Sequence, residues 1–252
     1  MAELVFAHRR VRVYAIDPGA LSEAARDGVL ITGFRGFGAV GYITTTHLVE
    51  KLRLQRLGYI VTRYMPEFVT RGADGGIVAP FEIYGSVERR LLVLVNHDVP
   101  VERERDAYAE AVVLFAKKMG VSRGVFIGGF DARFRRGEER FRWLASGGYQ
   151  GEFSEPTIDK DLFVVGPLAL LILYSEIHRF PAVTILPYTE TARPDPAAAA
   201  VAVEVVARLL NLEVDVSELL EMARKIEEVI ERVEHQREAA TAPSGASDRL
   251  YT

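Results

Sequence analysis

Along most of this chain, short apolar runs of strand length alternate with segments of helical period. That alternation limits the possible folds more than any other feature. Val29-Leu30-Ile31-Thr32 reads as a strand, followed by a Gly-rich turn and a helix over about 38–53. Tyr59-Ile60-Val61-Thr62, the run 77–84 and Leu91-Leu92-Val93-Leu94-Val95 read as further strands, with Ser86-Val87-Glu88 as the turn between the last two. A helix over 102–119 should stop at Gly120, and Val125-Phe126-Ile127 is a short buried strand closed by Gly128-Gly129. Weak periodicity over 131–161 reads as loops and short edge strands. A helix over 167–179 carries Pro167 in its first turn, 182–186 is a strand, and Asp195-Pro196 opens a helix over 197–210. That last helix is so apolar that it should be buried. The order implies a single α/β domain with a mixed, mainly parallel central sheet flanked by helices.

The final helix differs in kind. Asp215 with Glu218 three residues on resembles a capping box. Leu219, Ala223, Ile226, Ile230 and Val233 then recur at spacings of four and three, a stripe of heptad period. Glu221 with Lys225 and Glu228 with Arg232 form favourable flanking pairs. Such a stripe either lies on its own domain or serves contacts between subunits. The chain thus divides into a body over 1–212, an amphipathic helix over 213–238 and a small-residue tail over 239–252, expected to be mobile.

Composition removes several classes of function. Thirty-one Lys and Arg against 35 Asp and Glu give a net charge of −4, so no general basic field attracts nucleic acid. The absence of cysteine rules out disulfides, thiolate metal sites and cysteine nucleophiles. His8, His47, His178 and His235 show no metal-ligand spacing, so no metal is expected. The first residues lack a secretory layout and the run 162–174 is too short to span a bilayer, so a cytoplasmic protein with no membrane partner is expected. Its Glu and Arg content suits a thermophilic source.

Two motifs invite chemistry. Gly33-Phe34-Arg35-Gly36-Phe37-Gly38-Ala39-Val40-Gly41 contains Gly36, Gly38 and Gly41 in G-x-G-x-x-G spacing between a strand and a helix, the context of a dinucleotide loop. The following strand ends Thr62-Arg63-Tyr64, with no acid for a ribose, and Phe34 and Phe37 crowd the loop. Glycines there also suit a tight strand-to-helix turn. Asn96-His97-Asp98 ends a strand, where α/β folds place ligands, but neighbouring strand residues face opposite ways and cannot form a dyad. No nucleophile stands with its base, so no enzyme and no cofactor are expected; the alternative is a nucleotide or nucleoside enzyme using Gly33, Gly36, Gly38 and Gly41.

The chain resembles the PAC2 family of proteasome assembly chaperones, in particular its archaeal members. The matching segments are 33–41, His47-Leu-Val-Glu-Lys-Leu52, Gly120-Val121 leading to Gly128-Gly129-Phe130, Gly166-Pro-Leu-Ala-Leu-Leu171, and Glu190-Thr-Ala-Arg-Pro-Asp-Pro-Ala-Ala-Ala200. Arg35 stands where the family usually has Pro. The resemblance implies a nucleoside-phosphorylase-like fold without the phosphorylase's catalytic residues, and a role with 20S proteasome subunits. It also gives meaning to the last three residues, Leu250-Tyr251-Thr252, which composition alone would produce in roughly one chain in a hundred. Proteasome activators and some assembly chaperones end in a hydrophobic residue, Tyr and any last residue, and insert that tail between α-ring subunits. Leu250 would fill an apolar slot, Tyr251 would pack its ring, and the Thr252 carboxylate would need a cation. One tripeptide binds weakly and several bind well, so a homo-oligomer is expected. The tether, about 14 residues, would reach about 20 Å as a coil.

Overall fold

The computed structural model describes residues 1–72 and 75–241, with the side chains of the last helix described as far as Val233. Strands β1 (Glu3–His8) and β2 (Val11–Ala15) make a hairpin whose turn holds Arg9 at φ 53°. Helix α1 (Pro18–Ala25) starts at Asp17, whose Oδ1 accepts the Ala20 N–H at 3.0 Å. Strand β3 (Val29–Gly33), helix α2 (Val40–Lys51) and strand β4 (Gln55–Val61) follow. The expected strand over 77–84 divides in two. Strand β5 (Thr70–Arg71) pairs with β6 (Ile77–Val78) in a separate ribbon, and β7 (Phe81–Ser86) joins the main sheet. Pro80, which has no N–H to donate, stands between β6 and β7.

Strand β8 (Leu91–Asn96) returns from β7 through a turn over 87–90. Helix α3 (Arg105–Lys118) is entered by a 3-10 turn at Glu102–Glu104, and Gly120 beyond its end takes φ 79°, the left-handed stop expected of it. Strands β9 (Arg123–Ile127), β10 (Phe130–Asp131) and β11 (Phe141–Ser146), helix α4 (Pro167–Ile177), strand β12 (Ala182–Thr189), helix α5 (Pro196–Leu210) and helix α6 (Ser217–Thr241) complete the chain. The Asp195 carboxylate caps α5 by accepting the Ala198 N–H at 2.9 Å.

The sheet runs β1-β2-β4-β7-β8-β3-β9-β12-β10, with β11 on the far side of β12. It is the mixed sheet expected, with its parallel pairings gathered at the centre: β8–β3, β3–β9, β9–β12 and β10–β12. Antiparallel ladders flank that centre on both sides and reach further than the sequence suggested. Strand β2 alternates buried with more exposed residues, the period-2 pattern of a strand with one wet face, which is weaker in sequence than an unbroken apolar run. One face of the sheet is covered by α1, α3 and α4 through Leu21, Tyr108, Phe115 and Leu171. The other is covered by α2 and α5 through Val40, Leu48, Val203 and Val206, and by the first turn of α6 through Leu219. Among the described residues, no helix is long and apolar enough to cross a membrane.

Candidate functional site

The glycine motif forms the bend from β3 into α2. A Cβ on Gly33 would meet Gly41 Cα and the Ile127 carbonyl oxygen, both at 2.6 Å. One on Gly41 would meet that same carbonyl at 2.5 Å. Gly38 sits at φ 61° against Thr189 Oγ1, while a side chain on Gly36 would meet nothing within 4 Å. Three of the four glycines thus serve close backbone packing between β3, α2, β9 and the end of β12. The loop is fastened to α5 as well: Gly38 O accepts the Asp195 N–H at 2.8 Å, and Thr189 Oγ1 donates to Asp195 Oδ2 at 2.8 Å.

Beside this bend, beyond the carboxyl ends of β3 and β9, lies a cavity of about 610 Å³. This is the position at which open α/β sheets place ligands. The glycine loop contributes Phe34 and Phe37, the chain leaving β9 contributes Phe130 and Phe134, and a strap over 161–166 closes the third side with Leu162 and Val164. Polar groups are few. Arg35 lays its guanidinium over the Tyr42 ring, 3.9 Å from the centroid, and Arg105 donates from Nε to the Pro100 carbonyl at 3.1 Å. The Asp131 carboxylate is engaged by the Arg133 side chain, which holds its carboxyl below the ordinary range.

His97 finds a partner one strand away. Its Nε2 lies 3.0 Å from Glu82 Oε2, while Asp98 Oδ1 accepts the Val99 N–H at 2.7 Å, so His97 and Asp98 form no dyad. Glu82 is fully buried and also accepts from Arg56 Nη1 (2.8 Å), Tyr84 OH (2.8 Å) and the Ala79 N–H (3.2 Å). This cluster pins the crossing from β6 into β7. Asn96 lies deeper, donating to Thr32 Oγ1 and the Gly33 carbonyl at 3.0 and 2.9 Å and accepting from Tyr108 OH.

Another polar cluster had no obvious sign in the sequence. His8 Nε2 and His178 Nε2 approach the two oxygens of Glu110 at 2.9 and 3.2 Å, and Arg9 and Tyr174 both reach Asp106. The available signal was spacing: Asp106 and Glu110 are four apart on α3, as are Tyr174 and His178 at the end of α4, on helices that pack together. Among the described residues, no group of His and acids could hold a metal.

Helix α6 starts differently from a capping box. Asp215 Oδ1 accepts the Ser217 N–H and hydroxyl at 3.0 and 2.6 Å. Glu218, rather than folding back, pairs with Lys51 Nζ of α2 at 2.6 Å. His47 of α2 donates from Nε2 to the Asp215 carbonyl at 2.7 Å. The base of the helix is therefore fixed to α2 by two polar ties and to the core by Leu219 and Ala223. Beyond Ala223 the stripe leaves the body: Ile226 and Ile230 are half-buried, and Val229 and Val233 are exposed. The helix also runs to Thr241, three residues past the boundary expected from sequence. Leu250, Tyr251 and Thr252 lie outside the described residues.

The sheet, its glycine-packed bend and the apolar cavity at the carboxyl ends of β3 and β9 define an α/β body with a hollow at the switch from β3 into α2. Its family follows from comparison. The PAC2 family profile matches residues 30–234, and the chain belongs to that family. An uncharacterized protein of Methanocaldococcus jannaschii is 23% identical over 244 residues, covering 91% of this chain and 93% of its own. Among solved structures, Pyrococcus furiosus PbaA, described as an archaeal homolog of proteasome-assembly chaperone, superposes with a TM-score of 0.71 at 23% identity, over 90% of this chain and 94% of that one. Pyrococcus furiosus PbaB, described as an archaeal proteasome activator, does so with a TM-score of 0.71 at 20% identity, over 90% of this chain and all of the other.

Proposed function

We propose that this chain is a non-enzymatic proteasome adaptor, acting as an assembly chaperone or activator on the α-subunits of the 20S particle. The observation that carries the reading is the family match, which runs from β3 through most of α6. It is supported by solved relatives of the same fold that are described as a proteasome-assembly chaperone homolog and a proteasome activator. In this reading the working group is the terminal Leu250-Tyr251-Thr252, received between neighbouring α-subunits, with Leu250 in an apolar slot and the Thr252 carboxylate against a cation. Helix α6 suits the delivery of such a group: from Ala223 to Thr241 it adds about 27 Å beyond its last core contact. The half-buried Ile226 and Ile230 are available for self-association, which would bring several tails to one ring and raise their effective concentration by orders of magnitude.

The test is deletion of residues 250–252. The truncated protein should keep the mass of the parent oligomer in solution while losing 20S association and any stimulation of peptidase activity. Undiminished association would rule out the tail as the docking group. Saturable calorimetric binding of NAD, NADP, ATP or a nucleoside would instead favour the nucleotide reading of the 33–41 loop.

A further inference from the structure

The strap over 161–166 is unlike the other walls of the cavity. Leu162 and Val164 pack against the core, while Phe163 and Val165, which line the rim of the cavity, are 81% and 64% exposed. That alternation is the side-chain pattern of a strand. Yet the strap belongs to no sheet, and among the described residues no hydrogen bond engages the main chain of Phe163, Val164 or Val165. Unpaired main-chain groups beside exposed apolar side chains are what a partner strand satisfies on binding.

The charges around the cavity give the partner a sign. Asp131 is neutralised by Arg133, so it offers no net charge. Arg35 and Arg105 make a ring contact and a carbonyl contact, but no ion pair with an acid among the described residues. Helix α4 also opens onto the cavity at Gly166-Pro167, with no side chain capping its first turn. Among the described residues, Asp161 on the strap is the acid lining the space that no ion pair neutralises. Balance favours a carboxylate.

We infer that the strap and cavity are a docking site for an extended apolar segment of a partner protein that carries one acidic side chain. The segment pairs its main chain with Phe163–Val165, places alternate apolar side chains beside Phe37 and Phe134, and presents its acid to Arg35 and Arg105. None of the residues of this docking site belongs to the C-terminal tail on which the proposed function rests.

The experiment uses the full chain and a set of fluorescent eight-residue peptides in which threonine alternates with valine, leucine or phenylalanine and one position is glutamate. Fluorescence anisotropy should show saturable binding by members of this set. Replacing the peptide's glutamate by lysine should weaken binding at least about tenfold, and Arg105→Glu or Arg35→Glu should restore preference for the lysine peptide. Phe163→Asp, at an exposed position where folding is not at stake, should reduce affinity for every peptide. Deletion of residues 250–252 should change nothing, which separates this site from the tail. Failure of the whole set to bind, insensitivity to the charge swap, or binding of free apolar carboxylates with no peptide binding would each overturn the inference.

Discussion

Glu82 shows how one buried acid is kept ionised. Burial pushes its carboxyl upward, but hydrogen bonds from His97, Arg56, Tyr84 and the Ala79 amide outweigh it and hold the group below its ordinary value of 4.5. A carboxyl lowered in the folded state adds stability above its unfolded value, and that stability is lost as pH falls through the folded one. Glu82→Gln should therefore cost about 3 kcal/mol at neutral pH, since it leaves Arg56 and His97 facing an uncharged partner. The difference from the parent protein should shrink as the pH is lowered from the ordinary carboxyl range to about 3, read from urea midpoints. A constant difference across that range would remove the carboxylate from the explanation. At Gly41 the constraint is steric. Gly41→Ala would drive a methyl group to 2.5 Å from the Ile127 carbonyl, so a loss of about 3 kcal/mol in the same urea assay is expected. His97 drew attention in the sequence because it ends a strand. Its partner did not, because Glu82 reaches it only through the hairpin register that pairs Phe81 with Asn96.

Helix α6 is buried at its base and open beyond Ala223, and on the proposed function the open half serves self-association, so substitutions should separate the two. Leu219→Ala, in the buried first turn, should cost about 3 kcal/mol of stability in thermal or urea unfolding of the body. Ile230→Ala, past the last core contact, should leave the body's stability within about 0.5 kcal/mol while lowering the oligomer's mass at dilution in analytical ultracentrifugation. Equal losses of body stability at both positions would mean that the whole stripe is packed inward. The stripe itself was legible from its heptad spacing, as were the helix stop at Gly120 and the Asp195 cap, because each rests on residues close in sequence. The point at which the stripe leaves the core was not legible. It depends on where α2 offers His47 and Lys51 to the helix base, a matter of tertiary placement. For the same reason the cavity was invisible beforehand: its walls come from the 33–41 loop, the chain after β9 and the strap, segments far apart in the chain. The strap's burial alternation was present in Leu162-Phe163-Val164-Val165, but in sequence it merged into the apolar run that continues into α4.

At the scale of the molecule, the body offers two surfaces with separate demands. One is the apolar hollow at the end of the parallel strands; the other is the far half of α6 with whatever follows it. If the proposed function holds, such separation is an advantage, since each surface can be altered without unfolding the other. The sheet that joins them has a consequence for synthesis. Its central strand, β3, pairs with β8 and β9, which follow it by some 60 and 90 residues, so Val29 waits for both Leu91 and Arg123. A ribosome adding about 5–20 residues per second leaves β3 without neighbours for several seconds. Before β8 emerges the β1–β2 hairpin, helices α1 and α2 and strands β4 and β7 can form, but none of these strands pairs with β3. The nascent chain therefore exposes a fully buried strand early and covers it late, so the interval before β8 emerges is when it most needs shielding from other chains.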